Sequence, residues 1–106
     1  MKSEGNREDL IGLVQKPKWY KNKAPSMYQV TVLNDDFTPM EFVVGLLQRF
    51  FHMDRNKATA TMMEAHLTGR AVCGYYSKDV AETRVSQVMD FVRNSEHPLV
   101  CSMEAV

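Results

Sequence analysis

From Met27 to Leu33 the residues MYQVTVL set Tyr28, Val30 and Val32 in alternation with Met27, Gln29, Thr31 and Leu33. That two-residue period, in β-branched and aromatic types, predicts a strand with one face more apolar than the other. Asn34-Asp35-Asp36 ends it, because Asn and Asp side chains bond to their own nearby backbone and favour turns over ladders. The period then changes. Phe42, Val43, Leu46, Leu47 and Phe50 recur at helical spacing, which predicts a helix to about His52 with one stripe facing the core. Its expected start has Thr38 as N-cap, Pro39 at the first helical position and Glu41 completing a T-x-x-E capping box. A second helix is expected from an Asp54 cap to Gly69, with Ala58, Met62 and His66 on one face. The run RAVCGYY, from Arg70 to Tyr76, reads as a second strand. A third helix opens at Ser77 or Lys78-Asp79, with Ala81, Val85, Val88 and Val92 on its apolar side and Asp79, Glu82, Arg84 and Asp90 on its outer side. After a turn at His97-Pro98, Leu99 to Met103 supplies a final strand. The order β-α-α-β-α-β predicts an α+β two-layer sandwich, a three-stranded antiparallel sheet packed against three helices.

The first residues depart from this regularity. Residues 1–25 hold six Lys or Arg against three Asp or Glu, leaving seven against ten in the remainder of a chain whose net charge is zero. With Pro17, Pro25 and four lysines around Trp19-Tyr20, residues 1–24 are expected to be a flexible N-terminal extension to a single domain at 25–106. A neutral chain lacks the long-range field of a protein that grips nucleic acid through its phosphates, so no nucleic acid partner is expected. No apolar stretch approaches the roughly twenty residues that span a bilayer, and MKSEGNREDLIGLVQ lacks signal-peptide organisation. A cytoplasmic protein with no membrane partner is the expectation. Cys73 and Cys101 stand singly in apolar contexts, without CxxC or His spacing, and read as reduced core residues rather than metal ligands.

Candidate chemistry concentrates in two places. Asn34 and Asp35 occupy a strand-to-helix turn, where binding residues tend to sit, and His66 lies at the far end of the second helix. If the first two helices pack side by side, Met40 and Val43 face Met62, giving thioether and aliphatic walls under an amide, a carboxylate and an imidazole. Taken singly, each residue also fits a plain turn, a core position or a helix-end histidine. No Gly-rich phosphate loop, HExxH or GxSxG is present, no nucleophile stands beside a base in the local spacing, and no enzyme or cofactor is expected.

The stretches Pro25-Ser26-Met27-Tyr28, Val32-Leu33-Asn34-Asp35-Asp36, Thr38-Pro39-Met40-Glu41-Phe42-Val43, Gly69-Arg70-Ala71-Val72-Cys73-Gly74, Val80-Ala81-Glu82-Thr83 and Glu96-His97-Pro98-Leu99 resemble the ClpS adaptor family of the bacterial N-end rule pathway. The resemblance runs from about Ala24 to the C-terminus. It implies a non-catalytic adaptor that binds proteins beginning with Leu, Phe, Tyr or Trp and delivers them to the AAA+ unfoldase ClpA of the ClpAP protease. Asn34, Asp35 and His66 match the family positions that hold the substrate's α-amino group. Thr38, Met40, Val43, Met62 and Leu99 match the side-chain pocket, with Met40 resembling the gate against β-branched residues. Ala65 stands in that pocket where the family commonly has Val. Asp79 and Arg84 match the surface for the unfoldase's N-terminal domain, and residues 1–24 match in position an extension used in substrate hand-off. The resemblance also implies a monomer. A ribosomal-stalk-like interaction module shares the element order and is the alternative; it has no need of Asn34, Asp35 and His66.

Overall fold

The computed structural model describes residues 27–106; the expected extension at 1–24 lies outside the described residues. The elements are β1 (Met27–Leu33), α1 (Met40–Phe51), α2 (Arg55–Thr68), β2 (Arg70–Ser77), α3 (Lys78–Asn94) and β3 (Val100–Ala105). The sheet order is β2-β1-β3 with both pairings antiparallel. This is the expected α+β arrangement, with β3 running to Ala105 instead of Met103.

The alternation in β1 explains the layering. Val32 pairs with Ala71 of β2 and Cys101 of β3, and these three are buried in one core with Val44, Leu46 and Leu47 of α1 and Val88 and Val92 of α3. Each such fully buried aliphatic side chain is worth roughly 1.5–3 kcal/mol relative to exposure. On the other face Gln29 lies between Tyr75 and Glu104 and donates to the Glu104 carboxylate at 3.0 Å. Thr31, on that same polar face, is nonetheless 2% exposed. It is flanked by Val72 and Ser102, and its hydroxyl lies 3.4 Å from that of Ser102. Between the partners of Val30 and Thr31, β2 carries one extra residue, Cys73, the two-against-one pattern of a β-bulge.

Helix ends show where local rules hold and where they yield. Asp54 caps α2 as expected, its carboxylate accepting the Lys57 amide at 2.8 Å. Gly69 closes α2 in the left-handed region at φ 99°, a conformation cheap for glycine and costly for other residues. The Thr38-x-x-Glu41 capping box, by contrast, does not form. Pro39 takes the N-cap position with extended φ −61° and ψ 142°, and α1 begins one residue later than expected, at Met40. The Pro39 carbonyl accepts the amides of Phe42 and Val43. Thr38 donates its hydroxyl to the Asp35 carboxylate instead, a charge-assisted bond stronger than one to a neutral group. Glu41 turns outward to Arg55 of α2, 3.0 Å away.

Arg84 corrects a second expectation. Although it falls on the polar side of α3, it is half-buried, donating to the carbonyl of Phe50 near the end of α1 at 2.9 Å with its guanidinium 5.7 Å from the Tyr76 ring centre. Phe42 of α1 stacks on Phe91 of α3 with centroids 5.3 Å apart. No helix among the described residues is long and apolar enough to cross a membrane.

Candidate functional site

A cavity of about 270 Å³ opens where β1 ends, bounded by the following turn, the start of α1, the second half of α2 and the residue before β3. Each wall has a local cause. The Asx-type turn is built by Asp35, whose Oδ1 accepts the Phe37 amide at 3.2 Å while its other oxygen accepts the Thr38 hydroxyl. Because those bonds fix the carboxylate, it is presented in one orientation with lone-pair capacity remaining for another donor. The Asn34 side-chain amide donates to Asp36 at 3.5 Å, which leaves its carbonyl oxygen as the acceptor it can offer. The Asn34 main-chain amide donates to the carbonyl of Gly69 at 2.9 Å, joining this turn to the end of α2 that bears His66.

Below this polar mouth the surface becomes apolar. Val43, Met62, Ala65 and Leu99 are buried core residues that also line the cavity. Val43 and Met62 meet because α1 and α2 form a hairpin, as the helical periodicities imply. Leu99 arrives differently. The loop before β3 is held by an edge-on contact of His97 with Phe42, 4.3 Å between ring centres, and by the His97 amide bonding to the Val92 carbonyl at 3.3 Å. Met40, 46% exposed, sits at the rim.

All nine residues expected at the site line this one cavity: Asn34, Asp35 and His66, with Thr38, Met40, Val43, Met62, Ala65 and Leu99. Val32, Leu33, Asp36 and Pro39 line it too. Asp36 and Pro39 were within reach of sequence reasoning, since they belong to the same turn; Leu33 and Val32 are contributed by the strand's last turn of alternation, which pattern alone assigns to core or solvent. Asp79 is exposed at the start of α3 and Arg84 half-buried five residues on, both outside the cavity.

The arrangement suits binding. Burial pushes the Cys101 thiol up to about 12 and, with further opposition from the neighbouring Cys101, raises Cys73 well above the usual thiol value, so neither offers a thiolate at neutral pH. The described residues include no group of three or more His, Cys, Asp or Glu placed to hold a metal ion. What the cavity does offer is acceptors at the mouth and an apolar interior, the complement of a small cation attached to a hydrophobic group.

Residues 23–102 match the family model for "ATP-dependent Clp protease adaptor protein ClpS". The chain belongs to the ClpS family. The ATP-dependent Clp protease adapter protein ClpS of Rhodospirillum centenum is 52% identical to it over 100 residues, covering 94% of this chain and 92% of the relative. The ClpS of Variovorax paradoxus is 48% identical over 105 residues, 99% of this chain and 87% of the relative. Among solved structures, ClpS2 of Agrobacterium tumefaciens bound to L-phenylalaninamide is similar with a TM-score of 0.76 and 36% identity, covering 78% of this chain and all (100%) of that one. ClpS relatives are thus named as adaptors of a protease, and membership of ClpS decides against the stalk-type alternative.

Proposed function

We propose that this chain is an adaptor without catalytic activity that recognises proteins by a bulky hydrophobic N-terminal residue, Leu, Phe, Tyr or Trp, and delivers them to the ClpA unfoldase of ClpAP. The observation that carries this reading is the cavity itself, with Asn34, Asp35 and His66 at its mouth and Val43, Met62, Ala65 and Leu99 inside. An α-ammonium has three donors, which an amide oxygen, a carboxylate and an unprotonated imidazole nitrogen together satisfy. At about 270 Å³ the cavity lies below the roughly 300–1,000 Å³ of drug-sized ligand sites, a size for one side chain rather than a folded peptide. The ligand in the Agrobacterium ClpS2 structure, an amino-acid amide with a free α-amine and an aromatic side chain, has the same two-part chemistry. Clp chaperone partnership follows from the family. ClpA itself, contact through Asp79 and Arg84, and a part for residues 1–24 in hand-off rest on resemblance.

Fluorescence anisotropy with peptides differing only in the first residue tests the recognition. Leu, Phe, Tyr and Trp peptides bind and their acetylated forms bind at least about tenfold more weakly, since acetylation removes a charge and donors. Equal affinity for free and acetylated peptides would overturn the reading. Delivery is scored separately, by the rate at which ClpAP degrades an N-terminal Phe substrate with and without the adaptor.

A further inference from the structure

We propose that Met40 is a peroxide-oxidation site, and that its sulfoxide closes the pocket to apolar first residues. The inference rests on the proposed recognition of N-terminal residues and adds to it a chemical control. The chain has eight methionines, all but Met1 among the described residues. Met27, Met53 and Met62 are 6–8% exposed and Met40 is 46% exposed, while Met63, Met89 and Met103 are half-buried. Oxidation of a thioether requires the oxidant to reach sulfur, so Met40 is the first target. It is also the exposed one that lines the cavity.

The step is balanced with a hydroperoxide as oxidant. One peroxide oxygen is transferred to the Met40 sulfur, the O–O bond breaks and an S=O bond forms; the sulfur is oxidised by two electrons and the peroxide is reduced to water or an alcohol. The product is a polar group on a side chain that was apolar. The apolar residues that line the cavity with it, Val43, Met62, Ala65 and Leu99, have no side-chain hydrogen-bond donor, the Thr38 hydroxyl is already given to Asp35, and the Asn34 side-chain amide donates to Asp36. An incoming Leu or Phe side chain would strip water from the S=O without replacing its hydrogen bonds. Binding then weakens, and reduction of the sulfoxide restores it.

The test treats the full-length protein with dilute hydrogen peroxide and follows two readouts together: peptide mapping by mass spectrometry for the position of the added oxygen, and anisotropy with an N-terminal Phe peptide. Expected are oxidation of Met40 ahead of the other described methionines, slower oxidation when the peptide is bound, a loss of affinity of about tenfold as Met40 is converted, and recovery with methionine sulfoxide reductase. In Met40→Leu, whatever its starting affinity, the same dose should leave that affinity unchanged. Oxidation of Met62 or another described methionine first, an unchanged affinity once Met40 is oxidised, or an equal loss in Met40→Leu would each overturn the proposal. Preference of the untreated protein for free over acetylated peptide scores the recognition by itself, and the order of oxidation scores Met40 without any peptide.

Discussion

Asp35 has two tasks at once, and they separate by substitution. It anchors the turn through the Phe37 amide and Thr38 hydroxyl, and in the proposed function it is the carboxylate that meets the substrate's ammonium. Asp35→Ala removes both and should weaken an N-terminal Phe peptide by more than about 1 kcal/mol. Asp35→Asn loses the charge and one of the two acceptor oxygens that hold the turn but retains the other, so its anisotropy titration should fall between wild type and Ala; an unaffected Asn variant would mean that charge plays no part. Ala65 is the other informative residue. At 5% exposure in the cavity wall it leaves space that Val would occupy, a change of two methyl groups worth on the order of 1 kcal/mol. Ala65→Val is expected to favour Leu over Trp peptides relative to the parent, and equal shifts for the two would show that residue 65 does not shape the bound side chain.

At the scale of elements, the end of α1 meets α3 through the packing of Phe50 and Arg49 on the Phe91 ring and through a side-chain hydrogen bond from Arg84. Arg84 bonds the Phe50 carbonyl and covers Tyr76, so Arg84→Met, which keeps much of the stem and loses the donor, should lower stability by about 1–2 kcal/mol. For a domain of this size that is a fall in Tm of roughly 4–8 °C per kcal/mol, readable by circular dichroism. A Tm unchanged within error would mean the bond is made equally well to water. The same residue shows why parts of the architecture were not legible in the sequence. Periodicity, with helix caps and turn signals beside it, placed all three helices and all three strands, because alternation and the 3.6-residue stripe report on which face is buried and the caps on where an element ends. It could place Arg84 only on the polar side of a helix, since a long side chain that lays its stem inward and ends on a carbonyl has the same spacing as one in solvent. Thr38 misled for a related reason. A T-x-x-E pattern describes one competitor for the threonine hydroxyl, and here the carboxylate of Asp35 wins it. Asn34, Asp35 and the helix face of Met62 and His66 were readable from turn chemistry and spacing, whereas Leu99 reaches the pocket through the packing of His97 on Phe42, a contact between residues 55 positions apart in the numbering that no local pattern encodes.

For the molecule as a whole, the buried thiols set a limit at alkaline pH. Cys101 is pushed up to about 12 and Cys73 well above its usual value, each chiefly because burial penalises the thiolate. In the unfolded chain a thiol ionises near pH 8.5. Folding therefore retains protons that the unfolded chain gives up; the contribution to stability is full below about pH 8.5 and is lost progressively as pH rises toward the folded values. Urea midpoints should decline above about pH 9, and a Cys73→Ala, Cys101→Ala variant, although weaker at neutral pH, should decline less steeply over the same span. Parallel slopes would mean that other groups govern alkaline unfolding. The other molecule-wide consequence comes from the bond between the Asn34 amide and the Gly69 carbonyl. It couples two segments 35 positions apart in the numbering using main-chain atoms alone, so any non-proline residue at 34 can donate it and no side chain at 40, 43, 62 or 65 takes part. Under the proposed function, mutational drift can thus retune which first residue is preferred while the frame is inherited unchanged, and a lineage can change its diet of substrates without having to refold its adaptor.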